Sequence, residues 1–179
     1  MKEDRFEALV TEVKEEFPNF YIEKKSDSTV MKFIDGFLKT VTLGNMNLFM
    51  TSFITTLGTT VYVPDGWNKW SVASRLEILR HERVHMRQAK KYGRILFSLA
   101  YLLFPLPFGC AYFRTKFEKE AYEESLRALY EYHGPDVFSV ELKNSFVRHF
   151  TTSEYLWMWP WKSSIETWYD STVEKIKNS

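Results

Sequence analysis

The stretch Ser74-Arg75-Leu76-Glu77-Ile78-Leu79-Arg80-His81-Glu82-Arg83-Val84-His85, running on to Tyr92-Gly93, decides how the rest of the chain is read. Ser74 and Glu77 have the spacing of a capping box, in which each side chain satisfies the other's free backbone N–H. A helix is therefore expected from near Arg75 to about Tyr92, with Gly93 as its C-terminal cap. Working outward, Phe6, Leu9, Val10, Val13 and Phe17 recur at helical spacing, so Glu3 to Phe17 reads as an amphipathic helix ended by Pro18. Asn19 to Glu23 is strand-like, and Thr29 to Val41 reads as a helix with Val30, Phe33, Ile34, Phe37 and Leu38 on one side. The Thr- and Val-rich segment around Leu57-Gly58 suggests a hairpin, Met50 to Thr56 against Thr59 to Val63. Downstream, helices are expected at Arg94 to Phe104, Ala111 to Tyr132, Asp136 to Phe150 and from about Ser163. Trp157, Trp159 and Trp161 are expected to pack as a lid over the helices. The fold class implied is mainly α with a small β-sheet, an α+β arrangement in one domain spanning residues 1–179.

Composition sets the outer bounds. In 179 residues, 45% hydrophobic and 17% aromatic, there is enough apolar material for one substantial core. The 24 basic residues nearly cancel the 23 acidic ones, which argues against disorder and against a globally basic nucleic-acid binder. The single cysteine, Cys110, rules out an internal disulfide framework and a cysteine-rich zinc module, and reads as a small core residue. Met1 to Val10 is charged and amphipathic rather than a secretory signal, so a cytoplasmic location is the expectation.

His81-Glu82-Arg83-Val84-His85 is an HExxH sequence. Residues four apart lie on one helix face, so both imidazoles can point at one metal ion, and the intervening glutamate sits where it can take a proton from a water the ion activates. The composition makes a chance HExxH about a once-in-a-hundred event. Two of the four histidines are spent on it. A site with an open position needs a third protein ligand. Gln88 and Lys91 stand where an extended motif would carry on, so that ligand must come from elsewhere. On the 111–132 helix, Lys116, Lys119, Glu120, Glu123, Glu124, Arg127 and Glu131 form one charged side, which reads as solvated. Glu118 points the other way with Arg114, Ala121, Tyr122, Ser125 and Leu129. An acid facing inward needs a partner, and either a dication or Arg114 one turn back supplies one. Glu118 is the first candidate ligand and Glu120 the second.

The motif His81-Glu82-x-x-His85 with Glu118-Lys119-Glu120-Ala121-Tyr122 resembles the zincin metallopeptidases of the gluzincin kind. The E-x-x-A step resembles the ExxAD motif of CAAX-processing and HtpX-like membrane proteases. Thr55 to Tyr122 is similar to small HExxH proteins of bacteria and their phages. The resemblance implies a zincin-like fold and one Zn2+ ion bound by His81, His85 and Glu118. Glu82 would be the general base and a peptide or protein the substrate, with a virion location for a phage-encoded member. It also implies that Thr59 to Val63 is an edge strand able to hold a substrate backbone. The chain departs from ExxAD at Tyr122, where that motif has an aspartate that orients a histidine ligand. Tyr122, His149 and Tyr155 are candidates for stabilising an oxyanion. A catalytically silent binding or structural module on the same fold, in a phage particle or other larger assembly or at a membrane, is the competing class.

Two further features bear on partners. Ile95 to Phe113 holds 19 residues without a charge, broken by Pro105, Pro107 and Gly109. A buried helical hairpin, peripheral membrane contact and a true span are the readings, in that order. Arg80, Arg83, Arg87, Lys90 and Arg94 form a stripe opposite the two histidines, read as a solvated face or a contact for an acidic partner or anionic lipid. No motif for nucleic acid accompanies it.

Overall fold

The computed structural model describes residues 2–41, 48–93, 112–152 and 158–179. Among these, seven α-helices and three strands are found: α1 (Lys2–Glu16), β1 (Tyr21–Lys24), α2 (Thr29–Val41), α3 (Phe49–Ser52), β2 (Thr55–Leu57), β3 (Thr60–Val63), α4 (Val72–Tyr92), α5 (Tyr112–His133), α6 (Val140–Thr151) and α7 (Lys162–Lys177). The described chain is thus mainly helical with one small sheet. Residue contacts gather it into two compact units, Met1–Leu76 and Glu77–Ser179. The expected 94–104 helix, Cys110, Tyr155, Trp157 and nearly all of the charge-free run lie outside the described residues.

In the first unit, Phe6, Leu9, Val13 and Phe17 of the amphipathic α1 segment are buried, as are Val61 and Val63, the alternate residues of β3. Leu57 and Thr60 close the β2–β3 hairpin around a two-residue turn in which Gly58 has φ 65°. Turns that match the strand twist require a positive φ at that first position, which glycine supplies without strain. The antiparallel pairing is shorter than expected, because Phe49–Ser52 coil into α3. The register Tyr21↔Thr60 to Lys24↔Val63 then pairs β1 parallel to the other side of β3. The strand order is β1-β3-β2, so β3 is central. This corrects the expected edge strand: both hydrogen-bonding sides of Thr60–Val63 are already taken.

α2 spans Thr29–Val41 as expected, but its apolar side is largely uncovered among the described residues. Val30, Phe33 and Phe37 are exposed, and Met31 is the fully buried residue of this helix. Lys25 is buried beneath α3, where its ammonium donates to the Phe49 carbonyl at 2.8 Å and lies 3.5 Å from the centre of the Phe49 ring. These two contacts offset part of the cost of removing a cation from water.

α4 begins three residues earlier than the capping box suggests. Ser71 is its N-cap, with Oγ accepting from the Ser74 N–H at 3.1 Å. Glu77 is thereby released from capping. Gly93 ends α4 with φ 83°, as expected.

In the second unit the core is built from Tyr122 and Leu126 of α5, Phe146, Val147 and Phe150 of α6, and Ile165, Tyr169 and Ile176 of α7, with Met158 between them. α6 starts later than expected: Pro135–Val137 form a separate 3-10 turn, and Ser139 caps Val140 onward by accepting from the Leu142 N–H. The tryptophan lid holds in part: Trp159 is half-buried and packs against this core. Met158 is the fully buried residue of that segment, whereas Trp161 is 56% exposed. The charged side of α5 is not simply solvated either. Glu124 and Glu131 receive the Arg80 guanidinium from α4, and Glu123 receives Arg127 and Lys175. Arg80 therefore leaves the expected solvated stripe to tie α4 to α5, while Arg94 lies outside the described residues.

The Tyr169 hydroxyl is buried with no hydrogen-bond partner among the described residues. Burial, helped by the Asp170 charge, pushes its pKa up to about 12. A phenol whose folded pKa exceeds the unfolded value of about 10 contributes stability that is present below pH 10 and lost as pH rises toward 12. The Tyr169→Phe variant is expected to match or exceed wild-type stability by up to about 1 kcal/mol at neutral pH. It should also lose less stability than wild type between about pH 9 and about pH 11, read from urea midpoints.

Candidate metal centre

The buried side of α4 alternates apolar and polar residues. Leu79, Met86 and Ala89 pack, while Glu82, His85 and Gln88 share their burial. Buried polar groups must be satisfied, so such a face is informative. Opposite it, α5 buries Glu118, Ala121, Tyr122 and Ser125. His81, His85 and Glu118 each offer a ligand atom, and these atoms lie within 4.8 Å of one another. The two Nε2 atoms are 3.1 Å apart. His81 Nε2 is 3.5 Å from Glu118 Oε2, and His85 Nε2 is 3.7 Å from Glu118 Oε1. Nitrogen and oxygen ligands held tetrahedrally about 2.0–2.1 Å from a zinc ion lie about 3.3–3.4 Å from each other. The three separations bracket that spacing.

The outward ring nitrogens are held by polar partners that fix which one carries hydrogen. Gln88 donates its amide N–H groups to the Phe117 carbonyl at 3.0 Å and the Glu120 carboxylate at 2.9 Å. Its Oε1 must then face His85 Nδ1, 2.9 Å away, and accept from it. His85 in its neutral form consequently presents a bare Nε2 lone pair to Glu118 and His81. On the other side, His81 Nδ1 lies 3.3 Å from Ser125 Oγ. Ser125 is fully buried and is also hydrogen-bonded to Glu77. With the hydroxyl hydrogen given to that carboxylate, the Ser125 oxygen accepts from His81 Nδ1–H and leaves His81 Nε2 bare too. Two imidazole lone pairs and a carboxylate thus face one another, and only a proton or a cation between them makes the arrangement favourable.

The electrostatics agree. Burial alone would press His81 below its usual 6.5, but the hydrogen bond and charge of Glu118, with Glu82 and Glu77 behind it, outweigh burial and raise its pKa. Loss of hydration raises the Glu77 carboxyl above its usual range, against the pull of Ser125 and His81.

Of the residues singled out from sequence, His81, His85 and Glu118 meet. Glu82 is buried on the same helix and its charge acts on His81. Glu120 does not join the ligand atoms; it holds Gln88. Tyr122 packs its ring edge-on against His81, centroids 4.6 Å apart, and stacks on His149 at 5.4 Å. Glu77 is the acid hydrogen-bonded to Ser125, whose hydroxyl lies against His81 Nδ1. Sequence reasoning missed Gln88 and Glu77 as supports, although both lie one turn from a histidine on the same side of α4.

A small mixed fold carrying a buried two-histidine, one-carboxylate cluster is the class these observations define. No protein-family model matches the chain, and no curated protein or solved structure matches it either.

Proposed function

We propose that the protein is a zinc-dependent peptidase of the gluzincin type. His81, His85 and Glu118 are its metal ligands and Glu82 is its general base. The observation that carries this reading is the convergence of His81 Nε2, His85 Nε2 and the Glu118 carboxylate at ligand spacing, with both outer ring nitrogens hydrogen-bonded away. Two imidazoles and a carboxylate suit zinc. When bound, the ion polarises a carbonyl and acidifies a water. The chain's part is to keep the imidazoles in the right tautomer through Ser125 and Gln88. Glu82 then takes the water's proton and delivers it to the departing amine.

Elemental analysis of purified wild-type protein and of Glu118→Ala tests the ligands. About one zinc per wild-type chain, lost in the variant, is the expected result. Zinc retained in both would remove Glu118 from the ligand set. No zinc in the wild type, even after exchange, would sink the reading. Incubation of the zinc-loaded chain with a peptide pool tests the activity, and zinc without cleavage would leave only the binding module.

The supporting contacts carry their own prediction. Ser125→Ala and Gln88→Leu should each weaken zinc binding by about 10–100-fold, measured by competition with a chelator, because each frees a histidine ring to turn or change tautomer. Unchanged affinity in both would show that the outer hydrogen bonds do not orient the ligands.

A further inference from the structure

The second unit carries a surface separate from the metal ligands. Tyr112 and Phe113 at the start of α5 are 57% and 43% exposed, and Trp161 before α7 is 56% exposed. They are joined ring to ring: Phe113 to Tyr112 at 5.4 Å, Tyr112 to Trp159 at 6.4 Å, and Trp159 to Trp161 at 5.1 Å. Beside them lies an open cleft of about 370 Å³, lined by Tyr112, Lys116, Lys119, Trp159 and Trp168 among others. The two acids on its wall are already committed, Glu120 to Gln88 and Glu123 to Arg127 and Lys175. Lys116 and Lys119 have no acidic partner among the described residues, and Lys119 only approaches the Trp168 ring, at 5.7 Å. Partial burial lowers the Lys119 pKa, with no anion to offset it.

An exposed cluster of tryptophan, tyrosine and phenylalanine edged by unneutralised lysines has the composition that settles at the boundary between lipid headgroups and acyl chains. There the rings bury their apolar bodies and the ammonium groups reach the phosphates. The surface also stands at the end of the charge-free sequence Ile95 to Phe113, whose last two residues are its exposed rim. No described helix is long and apolar enough to cross a membrane. We propose that this aromatic and lysine surface seats the protein on an anionic bilayer as a peripheral contact.

The test is co-sedimentation of the full chain with vesicles of phosphatidylcholine alone or with roughly one-third phosphatidylglycerol, at low and raised salt. The wild type is expected to pellet with the anionic vesicles only, with a blue shift of tryptophan emission and weaker binding as salt rises. Lys116→Gln/Lys119→Gln should bind about thirtyfold more weakly, from the attraction contributed by two lysines near the surface. Tyr112→Ser/Trp161→Ser should lose binding through the apolar half of the contact. Both pairs change exposed or partly exposed side chains, and circular dichroism and zinc content serve as controls for folding. Absence of pelleting, or pelleting that neither pair of changes diminishes, would overturn the proposal. So would a wild-type dimer that ignores vesicles and is made monomeric by Tyr112→Ser/Trp161→Ser, since a second copy would then be the occupant.

Discussion

Glu82→Gln is expected to abolish peptide hydrolysis while leaving zinc in place. Glutamine keeps the size of glutamate and can hydrogen-bond, so the packing of this 8% exposed side chain on α4 is preserved. What is lost is a base able to hold a proton between water and leaving amine. Positioned general bases contribute about 10²- to 10⁴-fold, so kcat/KM should fall by at least about a hundredfold. Zinc content should stay near one per chain, because Glu82 is not among the three converging ligands. The Glu82 charge also helps raise the His81 pKa, so its removal makes that imidazole easier to deprotonate and does not oppose metal binding. Measuring kcat/KM and zinc stoichiometry on the same preparation separates the two roles. Cleavage that survives the change would remove Glu82 as the base; loss of zinc would place it among the ligands instead.

The grouping of His81, His85 and Glu118 was legible in outline because the spacing of its members follows helix geometry. His81 and His85 are four apart on α4, and Glu118 could be placed on the inward side of α5 from the 100° step per residue alone. The supports were harder to see. Ser74 and Glu77 satisfy the capping-box pattern, yet Ser71 does the capping and Glu77 reaches Ser125 on another helix. Local spacing cannot choose between two caps three residues apart when a tertiary contact decides the outcome. Gln88 gave no signal of its own, since its role depends on Phe117 and Glu120, about thirty residues away. In the sheet, the hairpin was readable from Gly58, but the parallel partner β1 was not assigned to either side of it. A strand paired through a connection of some forty residues leaves no trace in the local pattern, so β3 read as an edge when it is the centre. α2 was read with its bounds, Thr29–Val41, but its packing was not. Its period is helical, but periodicity says which residues share a side and not whether that side is covered.

Zinc is expected to raise the thermal stability of the protein substantially, and replacing Glu118 should separate a metal ligand from a structural ion pair. An ion that binds the folded chain alone stabilises it by about 4 kcal/mol at a thousandfold excess over its Kd. For a chain of this size each kcal/mol moves Tm by about 2–4 °C, so the midpoint should rise by about 8–16 °C and fall back when a chelator is added. Glu118→Leu should show no zinc-dependent rise. The stability of that variant without metal is the sharper observation. If Glu118 were there as a counter-charge for the histidines, removing it would cost about 3–5 kcal/mol, the usual result of breaking a buried pair. The metal-free wild type can hold a proton in the ion's place, since Glu118 raises the His81 pKa, so that cost falls due below the raised pKa and fades as pH rises through it. Measured above that pKa, Glu118→Leu should come close to metal-free wild type in stability and be clearly less stable than the zinc-loaded protein. A metal-free loss of several kcal/mol together with an unchanged zinc response would assign Glu118 to the ion pair and leave the two histidines without their third ligand.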